Sequence, residues 1–137
     1  MESVLTVEMS GHTYHIAKMP ALEQFHIVRR LAPLFGNLPI EEIKKDAAKA
    51  ADKALPALAL AISSLSDSDA NYVLFGLLKN VTRKQEGALG WGAISTGNNL
   101  MYEDIDMALM LKLAFEVLKF NLSSFFRVLA STSSQAQ

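Results

Sequence analysis

There is no cysteine in these 137 residues. That absence excludes a disulfide scaffold, an iron–sulfur cluster, thiolate-ligated zinc and a thiol nucleophile. Charge of one sign is lacking too. Thirteen Lys and Arg stand against 14 Asp and Glu, leaving a formal net charge of −1. Nucleic-acid binders carry a basic excess that neutralises phosphates, and none is present here. Long hydrophobic runs are also missing. The longest apolar window, Ala54–Ile62, contains Pro56, whereas a membrane-spanning helix needs roughly 20 apolar residues. The start, Met1-Glu2-Ser3-Val4-Leu5, has neither the basic residues nor the apolar run of a secretory signal. A soluble, intracellular protein with no membrane partner is expected. What is abundant is apolar character. Half the residues are hydrophobic and a fifth are charged, enough to bury a core without staples and too apolar for disorder. The length suits a single domain spanning 1–137.

The first segment, about 3–18, reads as a β-hairpin. Leu5, Val7 and Met9 alternate with Thr6 and Glu8, and Ser10-Gly11 can form a two-residue turn. That turn pairs Leu5 with Ile16, Val7 with Tyr14 and Met9 with His12, which gathers the apolar residues on one face. Helices are expected over about 20–80. Pro20 suits a first turn, and Leu22, Phe25, Ile27 or Val28, and Leu31 follow at helical spacing until Pro33. A second helix should begin near Pro39, with Ile40, Ile43, Ala47, Ala54, Leu58, Ile62 and Leu65 on one face and a kink at Pro56. A third should start at the cap candidates Ser66-Asp67-Ser68-Asp69, with Tyr72, Val73, Phe75 or Gly76, and Leu77 inward.

The stretch of about 81–102 is glycine-rich, with Gly87, Gly90, Gly92 and Gly97. A second short hairpin is expected there, using Val81–Arg83 with Trp91–Ile94 or Leu100–Tyr102. C-terminal helices should cover about 104–130. Between Met107 and Phe120 the polar residues are Lys112, Glu116 and Lys119, on one narrow stripe. A helix that apolar lies in the core or under a partner. Asn121-Leu122-Ser123-Ser124 should break it, and the polar stretch 131–137 should be disordered. The fold class expected is mainly α, with these small hairpins.

No pattern calls for chemistry. His12, His15 and His26 lack further ligands at metal spacing, and the two on the hairpin face opposite ways. The acids Asp67/Asp69 and Glu103/Asp104/Asp106 precede helical patterns and read as caps. Gly87–Gly92 has no Gly-Lys-Ser/Thr and no strand–GxGxxG–helix context. No serine sits in a Gly-x-Ser-x-Gly elbow. Lys45, Lys49 and Lys53 form a basic row, but Asp46 and Asp52 share that helix, so a solvated face is expected. No enzyme activity, cofactor, metal or nucleic-acid partner is expected. The surplus lies in apolar surface. Phe115, Phe120, Phe125, Phe126 and Leu129 crowd the last quarter, and six methionines add adaptable contacts. These residues, with Trp91, are the expected partner-binding set.

Four segments in this order also resemble a known family. They are Lys18-Met19-Pro20-Ala21-Leu22-Glu23-Gln24, Val81-Thr82-Arg83-Lys84-Gln85, Leu100-Met101-Tyr102-Glu103-Asp104-Ile105-Asp106, and the closing run from Phe115 through Asn121 to Phe125-Phe126. Together they resemble the tail assembly chaperones of long-tailed bacteriophages and prophages. The resemblance implies a non-enzymatic protein in the bacterial host cytoplasm. Such a protein binds the tape measure protein, keeps it soluble, and helps bring tail tube protein onto it. Self-association into a homo-oligomer is expected. The alternative reading is a structural tail or connector subunit of the virion. The resemblance supplies no catalytic residues and no single binding position.

Overall fold

Ser10 and Gly11 both adopt positive φ, 51° and 80°. That is the mirror-image turn whose twist matches a two-stranded ribbon. It joins β1 (Val4–Met9) to β2 (His12–Ala17) in the expected register, Leu5 opposite Ile16, Val7 opposite Tyr14 and Met9 opposite His12. The computed structural model describes residues 4–31, 56, 59–87 and 90–135, with side chains as far as Asn121. Of the second expected helix, from Pro39 to Leu65, residues 59–63 are helical; its part before Pro56, the exit at Pro33 and the row Lys45, Lys49, Lys53 lie outside the described residues.

The hairpin does not stand alone. β3 (Val81–Lys84) pairs antiparallel with β2, and β4 (Trp91–Ala93) pairs with β3, giving one sheet of order β1-β2-β3-β4. A second ribbon, β5 (Ser95–Thr96) with β6 (Asn99–Leu100), turns at Gly97 with φ 59°. The mainly α expectation is therefore corrected: this is an α+β fold, with a four-stranded antiparallel sheet as a full layer. The physical reason is that β3 has partners on both sides, so the expected local hairpin extends the N-terminal one across a long sequence gap.

Helices cover one face of this sheet. α1 (Ala21–Leu31) begins where the Pro20 carbonyl accepts from Gln24 N at 3.1 Å. α2 (Asp67–Leu78) is capped by Ser66, whose hydroxyl accepts from Asp69 N at 3.1 Å. α3 (Met107–Gln135) is capped by Asp106, which accepts from Leu109 N at 2.9 Å. Tyr14, Ile16 and Val81 on the sheet meet Ile27 and Leu31 of α1, Val73, Leu77 and Leu78 of α2, and Leu109, Leu113, Val117 and Leu118 of α3. Gly76 lets α1 and α2 close on each other, since a Cβ there would stand 3.2 Å from Ile27 Cδ1.

Two further expectations change. α3 runs unbroken through Asn121–Ser124 and on to Gln135, through most of the segment expected to be a disordered tail. Asparagine weakens helices when its side chain competes for local backbone groups. Asn121 is buried, and its side chain is committed mostly outside its own helix, as set out below. On α1, Leu22 and Phe25 are not inward. Ile27 and Leu31 are buried, while Leu22 and Phe25 are 66% and 58% exposed. At about 100° per residue the two pairs project from nearly opposite sides of the helix.

Candidate functional site

Three of the four resembling segments carry side chains that stitch the layers together, and Phe120 and Asn121 of the fourth complete the stitching. Asn121 Oδ1 accepts from Met19 N at 2.7 Å, and its Nδ2 donates to Ala17 O at 3.3 Å and Val117 O at 3.0 Å. Gln24 Nε2 donates to Met19 O at 3.0 Å, while Lys18 Nζ donates to Phe120 O at 3.2 Å and sits 4.5 Å from the Phe120 ring. The exit of the hairpin is thus locked to α3. A side-chain amide can satisfy a donor and two acceptors at once, which explains asparagine at this position.

The second lock joins β3 to the loop before α3. Arg83 points into the protein, 9% exposed. Its Nη1 donates to Asp104 Oδ1 at 2.9 Å and Oδ2 at 2.8 Å, and the guanidinium lies 4.2 Å from the Tyr102 ring. Its Nη2 is 3.1 Å from His12 Nε2. The same His12 Nε2 lies 3.5 Å from Asp104 Oδ2. Gly92 lies opposite Arg83 on β4 and supplies the space, because a Cβ there would fall 2.8 Å from Tyr102 Oη. The acids expected as caps therefore divide: Asp106 caps α3, and Asp104 holds Arg83.

The bond from Arg83 holds the Asp104 carboxyl below its ordinary value near 3.8. A depressed carboxylate adds stability above its unfolded value and loses that contribution as pH falls through the folded one. The acid limb of a stability–pH curve, below about pH 4, should be shallower in Asp104→Asn than in the parent chain, and denaturant midpoints across that range check it. Beside Arg83, Tyr14 is fully buried and its hydroxyl has no hydrogen-bond partner. Burial pushes its pKa above the usual 10.0. An unsatisfied buried hydroxyl costs stability, so Tyr14→Phe should hold or raise the denaturation midpoint, by up to about 1 kcal/mol.

The expected partner residues scatter. Phe115 is core, 6% exposed, and in this packing presents no contact surface. Phe120 is partly buried. Phe125, Phe126 and Leu129 lie on α3 beyond the described side chains. Trp91 is on the open face of the sheet, 39% exposed, stacked on His15 with ring centroids 3.5 Å apart.

Sequence reasoning missed an exposed apolar helix face. Leu22 and Phe25 form it on α1. Their signal was present as a second apolar stripe opposite the Ile27–Leu31 one. Near this helix a cleft of about 260 Å³ runs between α1 and α2, lined by Ile27, Tyr72, Phe75 and Gly76, with the Glu23–Lys79 ion pair at its edge. The lining mixes these apolar residues with Glu23, Asn71, Lys79 and Asn98, and it does not include Leu22 or Phe25. Among the described residues no three His, Asp or Glu gather to hold a metal, and no helix is long and apolar enough to cross a membrane.

A family model described as phage tail assembly chaperone protein, TAC, covers residues 10–134. No curated protein and no solved structure matches the chain.

Proposed function

The chain belongs to the phage tail assembly chaperone family, and from that premise we propose that it binds the tape measure protein, keeps it soluble and assists tail tube assembly without catalysing a reaction, in the host cytoplasm. One observation carries the reading to this chain: α1 has an exposed apolar stripe, Leu22 and Phe25, opposite the stripe that packs into the core. A helix apolar on two faces suits a holding protein whose client is a long helical chain. Leu22 and Phe25 are the first proposed contacts. Trp91, Phe120, Phe125, Phe126 and Leu129 are the further ones. Phe115 is withdrawn because it fills the core.

The alternative, a structural tail or connector subunit, makes a different prediction about where the chain ends up. Affinity-tagged chain isolated from cells expressing the tail genes should bring the tape measure protein with it, and purified mature particles should lack the chain. A chain present in particles and bringing down no tape measure protein would establish the alternative instead.

A further inference from the structure

β1 is an edge strand, and it carries few of the devices that protect edges. It is six residues long and contains no proline and no lysine. No described strand pairs with its outer side. Edges of this kind are templates for another strand. We propose that β1 pairs antiparallel with β1 of a second copy of this chain, about a two-fold axis at Thr6, to make a continuous eight-stranded sheet.

The hairpin turn decides which backbone groups face outward. A two-residue turn makes Met9 and His12 a hydrogen-bonded pair, so Met9, Val7 and Leu5 spend their N–H and C=O groups on β2. Those of Val4, Thr6 and Glu8 face the open edge. Side-chain parity then restricts the register. Both copies keep their helices on the same side of the joint sheet only if outward side chains meet outward ones. That leaves axes centred on a single residue of β1.

Charge selects among these axes. Centred on Glu8, the axis puts two carboxylates directly opposite, which is destabilising. Centred on Val7, it leaves them about 7 Å apart, at ~3.4 Å per residue. Centred on Thr6, each Glu8 faces the other copy's Val4, and the carboxylates are about 14 Å apart, beyond a Debye length of about 10 Å at 0.1 M salt. An axis at Leu5 pairs only a short stretch. The Thr6 axis makes about six main-chain hydrogen bonds, two for each outward-facing pair. It also sets Leu5 against the other copy's Val7. Leu5, Val7 and Met9 pack on the core yet are only half-buried, because the apolar layer stops at β1. A second β1 continues that layer. On the outer face, Thr6 meets Thr6, a favourable cross-strand pair.

The test uses the full chain alone, so its outcome is independent of whether the tape measure reading holds. Sedimentation velocity over a concentration series should show a reversible dimer. Thr6→Pro removes an N–H that faces away from β2, a placement proline tolerates in an edge strand. It should weaken dimerisation about 100-fold or more, through the lost bonds and the ring at the axis, and at concentrations where the parent is monomeric its melting curve should match the parent's. The chain has no cysteine of its own, so Thr6→Cys gives a clean register probe. Cα atoms of a hydrogen-bonded antiparallel pair lie about 5.5 Å apart, within disulfide reach. Under mild oxidation Thr6→Cys should cross-link into a dimer, and Glu8→Cys should not cross-link to itself. The inference is overturned by a parent chain that stays monomeric, by a folded Thr6→Pro that dimerises like the parent, or by self-cross-linking of Glu8→Cys in place of Thr6→Cys. Should Thr6→Pro fail to fold, the cysteine pair decides.

Discussion

Replacing Asn121 with leucine should lower stability by about 3 kcal/mol, a fall in melting temperature on the order of 10 °C for a chain of this length. The substitution keeps side-chain volume and improves helix propensity, so a purely local view predicts a gain. The expected loss comes from the partners. Met19 N would be left without its acceptor, and Ala17 O without a donor, in a region where Met19 and Asn121 are both buried. Each stranded buried group costs roughly 1–3 kcal/mol. Thermal melts of the purified variant, compared with Lys112→Ala as a variant of the same helix with its side chain exposed, check this. An unchanged or raised melting temperature would mean that the hairpin exit is not locked to α3 through this amide.

The second large effect concerns the client. Leu22→Asp with Phe25→Asp should abolish capture of the tape measure protein while leaving the chain folded. Both side chains are more than half exposed, so each substitution should change stability by no more than about 0.5 kcal/mol. Two carboxylates placed on an apolar docking stripe would have to be desolvated without a partner, which costs far more than the lost contacts alone. Co-purification of client with the double variant, measured beside its circular dichroism, separates lost binding from lost fold. Undiminished capture would move the contact to the set Trp91, Phe120, Phe125, Phe126 and Leu129.

Which parts of the molecule could be read from the sequence follows from how local their causes are. The first hairpin was legible to the residue, because alternation and a two-residue turn both act within a few positions. The start of α2 was legible for the same reason, with Ser66 among the four cap candidates. The joining of the two hairpins into one sheet was not, because β3 gains its place from β2, far away in sequence. Arg83 on its inward face is buried, and only the Asp104, Tyr102 and His12 side chains around it make that burial tolerable. Asn121 misled. Read alone, it and the following serines interrupt a helix; joined to Ala17 and Met19, it belongs inside one. On α1 the periodicity was correct, yet it contained two stripes, and nothing local said which would turn inward.

Aromatic density drew attention to the last quarter of the chain, where Phe115 proves to be core. The segments that carried the resemblance were informative about family and turn out to hold the layers together, through Lys18, Gln24, Arg83, Tyr102, Asp104 and Asn121.

The most direct measurement is the soluble fraction of the phage's own tape measure protein, expressed alone and together with this chain. The account predicts a client that is largely insoluble alone and largely soluble with the chain, in a complex that survives purification. A client whose solubility is the same with and without a folded, equally abundant chain would contradict it.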